Sequence, residues 1–113
     1  MPKSIKVYLD DIQESIRKIE EYTKGYDFEK FIKDGKTIDA VIRNFSIIGE
    51  AANRVPKEIQ EKNPKIPWFE MIGTRNKAIH EYSGINTEII WKTIQEDLPK
   101  LKGQLKDLFR KIN

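Results

Sequence analysis

Apolar residues recur along this chain at intervals of three and four, the period of a helix face, and no segment sustains the alternation of a strand. Over Ser4 to Tyr22, Ile5, Tyr8, Leu9, Ile12, Ile16 and Ile19 form one such face, and Gly25 supplies its stop. A second pattern of about two turns follows, with Asp27 as N-cap and Phe28, Phe31 and Ile32 as its apolar side, ending near Asp34-Gly35. Thr37 is read as the cap of a third helix whose stripe is wide: Ile38, Val41, Ile42, Phe45, Ile48 and Ala52, with Pro56 limiting its extension. That width predicts a central position.

Pro56 to Lys62 can add a short polar helix before Asn63-Pro64-Lys65-Ile66-Pro67, whose two prolines predict an extended connector. Pro67 suits the first position of the next helix, which carries Trp68, Phe69, Met71, Ile72, Ala78 and Ile79 and frays near Ser83-Gly84. In the last helix, Asn86 or Thr87 is the cap, and Ile90, Ile94, Leu98, Leu101, Leu105, Leu108 and Ile112 run on through Pro99, which should kink it. There are no Asn-Gly or Asp-Gly hairpin signals and no internal repeats. The pattern predicts an all-α antiparallel bundle of about four main helices.

Length and composition narrow the chemistry. A chain of 113 residues has room for one core, residues 1–113 forming a single domain. A domain of this size buries only somewhat over 60% of its unfolded surface, roughly, so it gains from a partner. With no Cys and one His, disulfides, thiolate metal sites, thiol nucleophiles and a histidine metal cluster within the chain are excluded. No apolar run approaches a signal-peptide core or membrane span, which predicts a cytoplasmic protein with no membrane association. Charged residues are 35% of the chain but the net charge is only +3, so most of that charge is a mixed solvated surface. A pI near 9.0 permits an anionic partner without requiring one.

The chemically dense segment is Gly73 to Gly84, where polar and ionisable residues gather in a helix that should be burying an apolar face. Asn76 and His80, four apart, share a face of a regular helix, whereas Arg75 and His80 are about 140° apart. Convergence of Arg75 and His80 on one ligand therefore needs a frayed turn or a second chain. An imidazole serves as acid or base near neutral pH, and a guanidinium grips a phosphate and stabilises charge developing on it. Together they suggest phosphodiester chemistry. Cleaving RNA without metal takes a base for the ribose hydroxyl and an acid for the leaving oxygen, and a two-fold dimer would supply the second histidine. The ordinary alternatives are a helix-dipole partner for Arg75 and His80, and packing for Tyr82. Trp68 and Trp91 read as core anchors, Gly49 as a point of close helix approach, and Glu50 as either buried with a partner or exposed.

Arg75-Asn76, then His80 and Tyr82, resembles the signature of the HepT-like HEPN ribonuclease toxins. Further landmarks of that family stand in the same order: Tyr8-Leu9-Asp10-Asp11-Ile12, Ile48-Gly49-Glu50-Ala51, Pro64-Lys65-Ile66-Pro67-Trp68, Trp91, and Asp97-Leu98-Pro99-Lys100-Leu101. The resemblance spans essentially the whole chain. It implies a HEPN-type bundle of four to five helices that forms a homodimer, with a composite cleft and metal-independent endoribonuclease activity needing no cofactor. Carried over by position, Arg75 would hold the scissile phosphate, His80 would act as acid or base, and Asn76 would position substrate or the histidine. Tyr82 would be the acceptor for adenylylation by a cognate minimal nucleotidyltransferase antitoxin, which adds anionic bulk where RNA should enter. Thr74 departs from the apolar residue, often Met, that commonly precedes the arginine in this family.

Lys77, or the series Lys100, Lys102 and Lys106, could add a basic groove for RNA, against the plainer reading of a solvated helix face. Two other functions compete with the toxin ribonuclease: a non-catalytic helical dimer that binds a nucleotidyltransferase or a nucleotide, and a purely structural bundle. The intact Arg75, Asn76 and His80 set favours the enzyme, because a scaffold does not require it.

Overall fold

The computed structural model describes residues 2–73 and 86–112, and every regular element among them is helical. In chain order these are α1 (Pro2–Thr23), α2 (Phe28–Ile32), α3 (Gly35–Arg54) and α4 (Lys57–Lys62). They are followed by α5, described over 68–73. The chain closes with α6 (Thr87–Lys92), a π turn (Thr93–Asp97) and α7 (Leu98–Ile112), joined without a break. The architecture is the all-α bundle that the periodicity predicts.

Its centre is the contact of α1 with α3, with α7 laid against α1. Leu9, Ile12 and Ile19 of α1 are wholly buried, as are Val41 and Ala52 of α3 and Leu105 of α7. All six lie on the stripes of three-and-four spacing, so burial of one face per helix accounts for the assembly. Facing away from the core, Arg17 bridges Glu14 and Glu21 on the exposed side of α1, at 2.8 Å to each carboxylate. The hydrogen bond from Arg17 holds the Glu14 carboxyl below its usual range.

Gly25 ends α1 in the left-handed region, at φ +78°. The Tyr26 N–H then donates to the Thr23 carbonyl at 3.0 Å, closing the turn into α2. Asp27 caps α2 as read from the sequence, its carboxylate accepting from the Lys30 N–H at 2.8 Å. The cap of α3 is Asp34 and not Thr37. One Asp34 oxygen accepts from the Thr37 N–H at 3.0 Å, while the other accepts from the Thr37 hydroxyl at 2.7 Å and the Tyr26 hydroxyl at 2.6 Å. A carboxylate can satisfy all three donors where a hydroxyl could not, and the helix begins three residues earlier in consequence. These bonds, led by that from Tyr26 and followed by those from Thr37, hold the Asp34 pKa down to about 2.

Three further expectations need correction. The segment 63–67 is a compact turn: Pro64 follows Asn63, whose carbonyl accepts from the Ile66 N–H at 3.2 Å, and the Ile66 carbonyl accepts from the Trp68 N–H at 2.8 Å. The two prolines supply the φ values that successive turns need, as readily as those of an extended strand. Trp91 is half-buried, its ring centroid 5.1 Å from that of Phe31 and 6.5 Å from that of Phe28. It anchors α6 to α2 at the edge of the core. Ile32 and Phe69, counted with the apolar faces, are exposed, Phe69 to 85%.

Pro99 makes itself felt one turn upstream. Proline lacks an N–H and its ring would meet the carbonyl four residues back, that of Gln95, in a regular helix. The chain widens instead, and the Leu98 N–H donates to the carbonyl of Thr93, five residues back. Where the sequence predicts a kink, the structure shows this π turn within a continuous helix.

Candidate functional site

The segment from Gly73 to Gly84 is approached through a firmly tied turn. Gln60 of α4 donates its amide to the Val55 carbonyl at 2.9 Å, covering an acceptor at the end of α3, and more loosely to that of Ala52 at 3.3 Å, which also accepts the Val55 N–H. Asn63 donates its side-chain amide to the Ile59 carbonyl at 2.8 Å. Its own backbone carbonyl receives the Trp68 indole N–H at 3.0 Å. With Ile66, Trp68 and Met71 all buried, the first turn of α5 is fixed both by its apolar contacts and by the one polar atom of the indole. On the far side of the segment, Asn86 caps α6, its oxygen accepting from the backbone N–H groups of Glu88 and Ile89 at 2.9 and 3.2 Å. Of the two caps read for this helix, the structure selects Asn86.

Between α3, α5, the π turn and α7 lies a groove of about 540 Å3, one of whose lining residues is Gly73, two positions before Arg75. Phe45, Ile48, Met71, Leu98 and Leu101, all buried, make an apolar floor. The rim is polar. Lys65 and Lys100 stand on it as exposed cations, Glu70 and Asp97 as exposed carboxylates, and Gln104 is held there by donating to the Lys65 carbonyl at 2.9 Å. Phe69 completes the lip. A cavity of this size with an apolar floor and a few placed polar groups is the ordinary form of a ligand site, roughly 300–1,000 Å3 across known cases.

Arg75, Asn76, His80 and Tyr82, with Thr74 and Lys77, lie outside the described residues. Of the other candidates, Glu50 is exposed and pairs with Arg54 at 3.6 Å, a contact between solvated side chains one turn apart. Gly49 is buried on α3. Lys100, Lys102 and Lys106 are all exposed but do not form one basic strip. Lys102 pairs with Glu20 of α1 at 3.0 Å, while Lys100 lines the groove, because residues two apart point to nearly opposite sides of a helix. Among the described residues no group of three or more acidic or histidine side chains could hold a metal ion, and no described helix is long and apolar enough to cross a membrane.

Two residues escaped the sequence reading. Asn44 sits within the buried face of α3, donating its amide to the Ala40 carbonyl at 2.9 Å, while its side-chain oxygen has no partner among the described residues. A single polar residue inside an otherwise apolar stripe was the available signal. Phe69 carries the opposite lesson, since only its place beside Trp68, and not its chemistry, could reveal that it faces outward.

The family model described as "Ribonuclease HepT-like" matches residues 12–108. The chain is 47% identical over 108 residues to a protein of Thermococcus cleftensis named "Probable ribonuclease HepT", covering 96% of this chain and 98% of the relative. It is 43% identical over 109 residues to "Putative RNase TTE0752" of Caldanaerobacter subterraneus subsp. tengcongensis, covering 96% and 97%. No solved structure matches the chain. The match runs from Ile12, midway along α1, to Leu108, the last leucine of α7, so it takes in both walls of the groove and the whole segment of candidate chemistry. On this correspondence the chain belongs to the HepT-like ribonuclease family.

Proposed function

We propose that this protein is the endoribonuclease toxin of a two-component toxin–antitoxin pair, working as a cytoplasmic homodimer without a metal ion. The observation that carries the reading is a family match over most of the chain to ribonucleases, together with the presence of Arg75, Asn76 and His80 in the family's order. In the reaction, a base removes the proton of a ribose 2′-hydroxyl, whose oxygen forms a bond to the adjacent phosphorus. The bond from phosphorus to the 5′-oxygen breaks, and an acid returns a proton to that oxygen. One chain brings a single histidine, so the His80 side chains of two protomers take the two proton-transfer roles. Arg75 holds the phosphate and offsets the charge that builds on it, and Asn76 positions the substrate or the imidazole.

Control falls to Tyr82 and the nucleotidyltransferase partner. The tyrosine oxygen attacks the α-phosphorus of ATP in the partner's site, pyrophosphate leaves, and the attached AMP sets a phosphate and a base in the path of RNA. The deciding experiment is to induce the chain without its partner beside His80→Ala and Arg75→Ala forms, following growth and RNA integrity. Arrest with RNA fragments from the unsubstituted chain alone supports the reading. Equal behaviour of all three at matched soluble expression overturns the assigned roles. An unmodified Tyr82 by mass spectrometry, after incubation with the nucleotidyltransferase and ATP, overturns the mode of control.

A further inference from the structure

The geometry points to the groove behind Phe69 as a seat for one unpaired nucleobase of the RNA, with Phe69 stacked on its face; this rests on the ribonuclease reading above. Phe69 is 85% exposed while its neighbours Trp68 and Met71 are 6% and 5% exposed, so it is not a spare core residue but a ring held out at the lip by an anchored turn. Every base has a face to stack, and aromatic side chains beside basic groups are the usual platform for single-stranded nucleic acid.

The charges on the rim say which part of the nucleotide enters. Among the described residues Lys65 and Lys100 form no ion pair, and they stand ready for the phosphates on either side. Asp97 also stands on the rim, and negative charge there disfavours a phosphate within the groove itself. Asp97 can instead accept from the N–H edge of a base. An apolar floor ringed by both signs of charge fits a flat heterocycle with polar edges better than a protein surface, since charged residues are depleted at the centres of protein interfaces. Gly73 belongs to the same groove and stands two residues before Arg75 in the sequence.

The test uses the full chain carrying His80→Ala, which keeps the RNA whole, and a fluorescent short oligoadenylate as probe, read by anisotropy. Phe69→Ala is expected to weaken binding on the order of tenfold, Phe69→Leu to weaken it nearly as much, and Phe69→Trp to restore it. An abasic oligomer of the same length should bind equally to all four forms. Unchanged binding by Phe69→Ala, or equal loss with the abasic oligomer, overturns the base seat. So does a shift in the monomer–dimer equilibrium by sedimentation that accounts for the loss, which would make the groove a contact between copies. Cleavage by the chain with native His80 separates the two readings. If that chain cuts RNA while Phe69→Ala binds as before, only the base seat falls; if no form binds or cuts RNA, the ribonuclease reading falls with it.

Discussion

Trp68 and Phe69 are neighbouring aromatic residues with opposite surroundings, and replacing each isolates what holds the approach to the candidate site. Trp68 is 6% exposed and its indole N–H donates to the Asn63 carbonyl at 3.0 Å. Trp68→Phe keeps a ring but removes two buried ring carbons, which at about 0.8 kcal/mol each comes to about 1.6 kcal/mol. It also removes the hydrogen bond, which contributes about 1 kcal/mol net. The sum is about 2.5 kcal/mol, corresponding to a Tm lower by roughly 10 °C for a domain of this length. Phe69→Ala removes a ring that water already surrounds, so its cost should stay within about 0.5 kcal/mol. Urea unfolding followed by far-ultraviolet circular dichroism measures both. If Trp68→Phe unfolds within about 0.5 kcal/mol of the unsubstituted protein, the anchoring role fails. If Phe69→Ala costs as much as Trp68→Phe, the exposed placement of Phe69 fails with it.

Other substitutions probe the frame. Gly25→Ala should cost about 1–2 kcal/mol although its new methyl group meets no atom within 4 Å, because the cost is that of a left-handed backbone; a urea midpoint equal to that of the native sequence would contradict it. Leu105→Ala, at a wholly buried position where α7 meets the core, should cost about 2–5 kcal/mol by the same measurement. Asp34 has its pKa lowered in the fold, so its contribution is complete above the ordinary carboxylate range near 4 and drains away as pH falls toward about 2. Asp34→Asn should therefore flatten the acid side of the stability curve, and an unchanged slope between those pH values would show that the cap is not what titrates. Asn44→Leu should stabilise the protein by about 1 kcal/mol, since a buried amide oxygen with no partner among the described residues gives way to an apolar group of similar size; a clear loss in thermal melts would mean that this oxygen has a partner.

Much of the fold was legible because burial of one face per helix is a periodic demand, and Leu9, Ile12, Val41 and Leu105 answer it at the positions that spacing assigns. The misreadings occurred where periodicity is silent. Both Asp34 and Thr37 are good capping residues, and the choice turned on a hydroxyl from Tyr26, eight residues before Asp34, that no local pattern reveals. The prolines at 64 and 67 restrict φ without choosing between an extended strand and a turn, and the Trp68 indole bond to Asn63 goes with the turn. Phe69 was assigned inward on hydrophobicity, although the helix had already filled its inner positions with Trp68 and Met71. As for chemistry, Arg75, Asn76, His80 and Tyr82 were legible as residue types in a telling order. The groove was not, since its walls come from α3, α5, the π turn and α7, four elements scattered along the chain.

The π turn at Thr93–Asp97 acts as a phase setter between two halves of one long rod. Upstream, Trp91 fixes the rotation of α6 by lodging beside Phe31; downstream, Leu98, Leu101, Leu105 and Leu108 are fixed by the core. The two registrations are compatible because the wide turn takes up one residue more than an α turn would. Deleting one residue between 93 and 97 would let this stretch close as an ordinary α turn with both registrations kept, whereas deleting one within α7 would turn the leucines beyond it by about 100° and out of the core. A frame error of one position is therefore better tolerated in the wide turn than along the leucine face of α7, and Pro99, with no N–H to give to the Gln95 carbonyl, is what the extra residue accommodates.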